Sequence, residues 1–340
     1  MSKISSRRRN QTLVITEGNH EKNKLLKLIL LAFPEINISE NNIVMYESNI
    51  YSLYAKIVYE YGTDWQEQDV DLPKCVAKWK NLGIKLEKRD FTNVILIFDY
   101  ERQDPNFSET KICDLQKYFS DISDMGQLYI NYPMVESYLD IDLNNTDDYE
   151  TKMYSASFQK GAEYKTSVMK NPICNEVFLF KGFTEHIERL IGDELLAEKT
   201  AIAILSKFGE PNFQESFYDI LSDVLEDKDA KSLSFQYSSL LEKLGYNMQS
   251  MSYFSHIRDL FMLITECNIR KSLAIQGGDY HIYRELLDEY YYEEMDFTAI
   301  LDKQNRDSRD MLSGYIQVLN TAIFIISNYK FFWRKVNGDL

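Results

Sequence analysis

Cysteine and histidine are scarce in this chain of 340 residues, which has four of each. The cysteines make no paired short spacing, so the sequence predicts neither a disulfide framework nor a zinc site. The histidines are not paired at metal-ligand spacing either, which argues against other transition metals. A P-loop or another Gly-rich phosphate cradle is also missing from the sequence. Its absence weakens the case for a phosphotransferase that acts on a small nucleotide.

Apolar runs long enough to span a bilayer are missing as well. The longest late apolar stretch, Tyr315 to Tyr329, is interrupted by polar residues such as Gln317 and Asn320. The first ten residues are basic and lead straight into a short strand-like run, without the apolar region of a secretory signal. We therefore expect a soluble cytoplasmic protein that makes no contact with membranes.

Positive charge is in short supply, because the formal net charge is -15. Nucleic-acid affinity comes mainly from Lys and Arg, so this balance is an obstacle to any nucleic-acid function. The deficit is uneven: residues 1–100 carry 14 basic and 13 acidic side chains, which leaves 24 and 40 for the remainder. The acidic remainder is typical of a solubilising surface, and a surface for a basic partner protein is the alternative.

Apolar residues make up 44% of the chain, and its length exceeds what one hydrophobic core usually supports, so we expect two domains. In the first, residues 11–145, short β-branched runs alternate with helical periods, which is typical of a parallel α/β sheet. An irregular, partly basic insert occupies about 62–90. The predicted strands are Thr12 to Thr16, Asn42 to Tyr46, Phe91 to Phe98 and Gln127 to Tyr132.

The second domain, residues 151–340, follows a polar, turn-prone stretch and is predicted to be mainly α-helical. Its one strand-like run is Val177 to Phe180, and its last helical pattern is Met311 to Trp333. The apolar face of that last pattern suits core packing, with a dimer or partner interface as the alternative. The predicted fold class is thus a Rossmann-like α/β domain with a mostly parallel sheet, followed by a helical domain.

Acidic residues follow three of the predicted strands. Glu17 and Gly18 close the string "LVITEG". Asp99 and Glu101 lie in the last three positions of "NVILIFDYE", and Glu136 opens the helical turn in "YPMVES". Open α/β sheets gather their ligands at the carboxyl ends of strands, so these side chains are expected to converge. On an extended backbone, positions i and i+2 share a face, which would let Asp99 and Glu101 share one cation.

Clustered carboxylates repel one another unless a cation neutralises them. Magnesium, or manganese in its place, is the natural cation, because Mg²⁺ prefers oxygen ligands and pairs with phosphate oxygens. The residues therefore favour phosphoryl chemistry. Strand-end acids that only cap helices or face solvent remain the alternative.

These motifs resemble the TOPRIM domain, in which a Glu-Gly pair follows strand one and an acidic pair follows a later strand. The "YPMVES" element is similar to OLD-like nucleases and to the TOPRIM effector subunits of antiphage systems that pair with an AAA-type ATPase. The resemblance covers roughly residues 11–142. It implies that Glu17 is a general acid/base or metal ligand, that Asp99 and Glu101 bind Mg²⁺, and that Glu136 is a further ligand. The second member of the family's acidic pair is usually Asp, whereas this chain has Glu101.

The resemblance implies a nuclease acting on DNA or RNA, including a structured RNA such as tRNA. It also implies a toxic effector in abortive infection, controlled by a partner ATPase and active as a homodimer. A catalytically inactive TOPRIM-like regulatory or scaffold subunit is the competing hypothesis. The basic residues expected to contact nucleic acid are Arg7, Arg8, Arg9, Lys22, Arg102, Lys160 and Lys165. For the arginine cluster, a solvated tail is the alternative.

Overall fold

The first half of the chain forms a five-stranded sheet of α/β type. A computed structural model describes residues 11–157, 161–243, 251–277, 289–293 and 295–336. The strand order is β2-β1-β3-β5-β4, in which the first four strands are parallel and β4 is an antiparallel edge. The strands of this sheet are β1 Thr12–Thr16, β2 Ile43–Met45, β3 Asn93–Asp99, β4 Ser120–Asp121 and β5 Gly126–Asn131.

All four predicted parallel strands are confirmed, and their sequences explain why they are central. The residues of β1 and β5 are all buried, and so are those of β3 after its first position. Continuous apolar strands are what a parallel sheet covered on both faces requires. The coarse α/β class with a mostly parallel sheet is therefore established.

Helices cover the sheet and continue into the second half. A π-helical turn, Glu21–Leu26, precedes the first helix, and 3-10 turns lie at Val135–Leu139, Thr146–Thr151 and Ala322–Ile325. Helix α1 contacts α11, whereas α2 contacts α4. The helices are α1 Lys27–Ala32, α2 Ile50–Tyr61, α3 Leu72–Trp79, α4 Glu109–Tyr118, α5 Gly161–Val168, α6 Ile173–Val177, α7 Leu179–Ile191, α8 Glu194–Ser206, α9 Phe213–Ser222, α10 Asp227–Lys243, α11 Tyr253–Gln276, α12 Glu289–Glu293, α13 Phe297–Asp307 and α14 Lys330–Val336.

Two predicted elements of the second half are wrong. Val177 to Phe180 is not a strand, because Val177 ends α6 and α7 begins at Leu179. Met311 to Trp333 is not one long helix. It contains strand β7 (Tyr315–Gln317), which pairs with β6 (Met153–Ser155), then the 3-10 turn and the start of α14.

The segment after β7 is extended because its polar groups bond to the first half of the chain instead of to a helix of their own. Tyr132 and Leu319 exchange two backbone hydrogen bonds of 2.8 Å. The hydroxyl of Thr321 donates to the carbonyl of Ile130 at 2.9 Å, at the end of β5. These tertiary bonds outweigh the helical period of the apolar residues.

Buried residues of both predicted domains belong to one hydrophobic cluster, which runs from Leu13 to Trp333. The long helix α11 lies at its centre and contacts α1, α13 and the two 3-10 turns at Thr146–Thr151 and Ala322–Ile325. The domain boundary expected between residues 145 and 151 stays a prediction. In the described residues, every helix is too short or too polar to cross a bilayer.

Candidate active site

The parallel register of β1 and β3 places Glu17 beside Asp99. Thr16 pairs with Ile97, and the backbone N–H of Glu17 donates to the carbonyl of Ile97 at 3.0 Å. One carboxylate oxygen of Glu17, Oε2, then accepts the backbone N–H of Asp99 at 3.1 Å. Two acidic residues that are 82 positions apart in the sequence therefore meet at one edge of the sheet.

Asn131 extends this edge onto the neighbouring strand. Its register partner is Asp99, and its Nδ2 donates to Asp99 Oδ1 at 3.4 Å. Its Oδ1 accepts the backbone N–H of Ala322 at 3.1 Å, which fixes the amide orientation. Sequence reasoning missed Asn131, although its position at the end of the strand "LYIN" was a usable signal.

Glu21 is a second buried carboxylate that sequence reasoning missed. It opens the π-helical turn, is only 3% exposed, and its Oε2 accepts the backbone N–H of Gly18 at 3.0 Å. Such π-helical segments are often found at functional sites. The signal in the sequence was its spacing, since it lies four positions after Glu17 across a strand-to-helix turn.

Glu101 does not continue the strand, so the predicted i and i+2 arrangement with Asp99 is wrong. Strand β3 ends at Asp99, and Glu101 adopts a left-handed conformation with φ 41°. That conformation is uncommon for a residue other than glycine and is typical of constrained functional segments. The turn continues through Asp104, whose backbone N–H donates to the carbonyl of Glu101 at 2.9 Å.

The buried carboxylates hold their protons more tightly than free side chains do. Burial and the charge of Glu101 raise the pKa of Glu17 from 4.5 to about 8. Burial and the charge of Glu17 raise the pKa of Asp99, and burial also raises the pKa values of Glu21 and Glu101. Glu17 thus contacts Asp99 and is repelled by the charge of Glu101, and the neighbouring cation Lys165 does not prevent the pKa of Glu21 from rising.

Glu136 differs from the other carboxylates because it already has cationic or polar partners. It is 2% exposed in the 3-10 turn Val135–Leu139, with His20 Nδ1 at 2.9 Å from Oε1 and Lys165 Nζ in contact with the same oxygen. Burial would raise its pKa, but His20 and Lys165 outweigh burial and lower the pKa to about 2. Burial lowers the pKa of His20, so Lys165 supplies the positive charge near neutral pH.

The basic residues predicted to contact nucleic acid lie in different surroundings, and their role stays a prediction. Lys22 donates to the carbonyl of Ile43 at 2.9 Å, and Arg102 donates to Ser308 at 3.3 Å while stacking over Phe107. Both side chains therefore have partners within the protein. Lys165 lies at the carboxylate site itself. Arg7, Arg8, Arg9 and Lys160 lie outside the described residues.

The donor chemistry of the edge suits a divalent cation that prefers oxygen. Glu21 and Asp99 are buried oxygen donors and Glu17 is half-buried; burial first, and neighbouring carboxylates second, raise their pKa values, and a cation would favour their charged forms. Glu136 fits less well, since Lys165 already neutralises it. As the side chains stand, no three His, Cys, Asp or Glu residues of the described segments form a ready ligand set. Ligand binding would therefore require side-chain rotation.

Comparison with protein-family models, with curated proteins and with solved structures gives no match for this chain. The chemistry of its own sheet edge is therefore the basis for a functional conclusion.

Proposed function

We propose that this protein is a magnesium-dependent nuclease with a TOPRIM-like site. One observation carries the proposal: Glu17, Glu21 and Asp99 meet at the carboxyl edge of a parallel sheet, where burial and neighbouring carboxylates raise the pKa of each. Such an edge is where α/β folds bind ligands. The motifs in "LVITEG" and "NVILIFDYE" add the family resemblance.

Glu17 suits the role of proton acceptor because its pKa of about 8 lies close to neutral pH. Its carboxylate is oriented by the backbone N–H of Asp99, so it can deprotonate an attacking water without rotating away. Asp99, Glu101 and Glu21 would hold Mg²⁺ or Mn²⁺, and Glu136 would join them only when Lys165 releases it. Such an ion, when bound, neutralises charge on a scissile phosphate and acidifies bound water.

The proposed substrate is DNA or RNA, including structured RNA such as tRNA. The net charge of -15 disfavours tight binding by the chain alone, so we propose that activity is controlled by an AAA-type ATPase partner and expressed as a homodimer. Uncontrolled cleavage would be toxic to the host cell, which is the property of an abortive-infection effector.

The test is cleavage of labelled RNA and DNA by wild-type protein and by Glu17→Gln, each with Mg²⁺ or Mn²⁺. We expect Glu17→Gln to fold and to cleave at least about 100-fold more slowly, because an acid/base group typically contributes that much. Glu40→Gln is the matched control, since Glu40 is exposed in a 3-10 turn away from the sheet edge. Equal cleavage by folded Glu17→Gln and Glu40→Gln rules out the assignment.

A scaffold without catalysis is the second candidate, and the Lys165–Glu136 contact favours it. A lysine that neutralises a predicted ligand is compatible with a TOPRIM-like fold retained for docking to an ATPase. Titration with Mg²⁺ and Mn²⁺ separates the two candidates. A scaffold binds neither ion at millimolar concentration, whereas the nuclease binds at least one and loses it in Asp99→Asn.

A further inference from the structure

Three lysines lie near one another beside the carboxylate edge, and we refer to Lys24, Lys165 and Lys181 as the lysine cluster. Lys24 belongs to the same π-helical turn as Glu21, and its Nζ lies 5.4 Å from the ring centroid of Phe178. His20 packs edge-on against that ring, with 6.3 Å between centroids. The cluster and the carboxylates are therefore neighbours through Phe178 and His20.

The other two lysines come from elements that follow the sheet. Lys165 in α5 contacts Glu136, which also lies 2.9 Å from His20. Lys181 is in the first turn of α7, three positions after Phe178, and its Nζ lies 3.1 Å from Glu185. The side chains of Lys165 and Lys181 are 45% and 40% exposed, so both can reach a ligand from solvent.

The positive charges of the cluster repel one another. Burial, then the charges of Lys181 and Lys165, lower the pKa of Lys24. The charges of Glu136 and Glu185 raise the pKa of Lys24, but they offset this repulsion only in part. Among the described residues, the contact of the Lys24 ammonium group is with the Phe178 ring, 5.4 Å from its centroid, and not with a carboxylate. An anion bound between the three lysines would relieve this repulsion.

We propose that the lysine cluster is a phosphate-binding site that holds the backbone of a nucleic-acid strand beside Glu136 and the carboxylate edge. This inference rests on the proposed nuclease function and adds the surface that positions its substrate. It also explains how a strongly acidic chain can engage a polyphosphate: the contact is confined to one local patch of positive charge. Contacts between lysines and phosphates fix the position of the strand and add affinity, but they do not distinguish one base from another.

The experiment measures binding of fluorescein-labelled RNA and DNA oligonucleotides of one sequence, at several salt concentrations. All variants are made in the Glu17→Gln background, so that binding is measured without cleavage. We expect Lys24→Gln and Lys181→Gln to weaken binding of both probes equally. Each should lower the slope of log affinity against log salt by about 1, as loss of one phosphate contact predicts.

Two controls guard against effects of folding and of net charge. Lys24→Arg keeps the charge and should bind like the parent. Lys117→Gln makes the same charge change at an exposed position near the end of α4 and should leave the salt slope unchanged. Thermal unfolding of each variant confirms that it is folded.

Binding by Lys24→Gln and Lys181→Gln that equals binding by Lys117→Gln overturns the phosphate site, whether or not the wild type cleaves. Competition by polyglutamate as strong as that by polyuridylate at equal charge also overturns it, and assigns the cluster to an acidic protein segment. Lysine-dependent binding in a protein that binds neither Mg²⁺ nor Mn²⁺ at millimolar concentration supports the phosphate site and refutes the nuclease.

Discussion

Glu17 is the residue on which the chemistry of the sheet edge depends, and its protonation links the site to folding. In the folded chain its pKa is about 8, whereas the unperturbed value is 4.5. Between these values the folded protein holds a proton that the unfolded chain has released. The contribution of Glu17 to stability therefore falls as the pH rises from 4.5 through 8.

We expect Glu17→Gln to raise the melting temperature at pH 8 and to change it little at pH 4.5, because glutamine resembles the protonated carboxyl. Differential scanning calorimetry of wild type and variant at both pH values measures this. The comparison cancels other titrating groups, such as buried Lys271, whose pKa burial lowers to about 7. A variant that is less stable than wild type at pH 8 contradicts a raised pKa for Glu17.

The effect of Mg²⁺ on the melting temperature provides a second test of Glu17. Addition of the ion at pH 8 should raise the melting temperature of the wild type, because a ligand that binds only the folded state stabilises it. The increase should be smaller for Glu17→Gln. An equal increase in both proteins would mean that the ion binds elsewhere.

At the scale of elements, the sequence predicted the strands and strand-end residues whose positions depend only on neighbouring residues in the chain. The four parallel strands are continuous apolar runs, and the acidic residues that follow them were found from the same runs. Glu101 was found but misplaced, because a left-handed residue at φ 41° leaves no mark in apolar periodicity. Asn131 and Glu21 gain their importance from neighbours across the sheet edge, which a single strand or turn cannot reveal.

The error at Met311 to Trp333 has a different cause. Its apolar spacing fits a helix, yet Asn320 bonds to the carbonyl of Val135, just after β5, and Thr321 bonds to the carbonyl of Ile130 within β5. Asn320 is fully buried: its Nδ2 donates to the carbonyl of Val135 at 2.7 Å, and its Oδ1 accepts the backbone N–H of Ile323 at 3.0 Å. Tertiary hydrogen bonds of this kind override helical propensity and are invisible to periodicity.

Asn320→Leu should therefore destabilise the protein by about 2–4 kcal/mol, because it leaves the buried Val135 carbonyl and the Ile323 N–H without these partners. Urea unfolding followed by circular dichroism measures the change. Asn212→Leu serves as the control, since Asn212 is exposed and its side chain makes no capping bond to α9. An equal loss of unfolding free energy in the two variants would show that the buried hydrogen bonds of Asn320 contribute nothing to stability.

At the scale of the whole molecule, the shared core bears on the two predicted domains. Apolar side chains from both halves form one cluster, and α11 contacts elements on both sides of the predicted boundary. A common core favours one cooperative unfolding transition. Length alone favoured two domains, but it says nothing about whether their cores merge.

The chain has three tryptophans, and two of them report on different halves: Trp65 and Trp333, both buried. Variants that keep only one of these two, with the others replaced by Phe, should unfold in urea at coincident midpoints by fluorescence. Each midpoint is compared with circular dichroism of the same variant. Two separated transitions would instead support two independent domains.

Asn320 bonds to a part of the chain that is synthesised much earlier than Asn320 itself. Its bond to Val135 spans 185 positions, so the Glu136 turn lacks this support in a nascent chain until residue 320 has left the ribosome. At typical rates of translation that interval is on the order of ten to forty seconds. A chain that ends before residue 320 thus lacks the bond that Asn320 makes to the turn carrying Glu136.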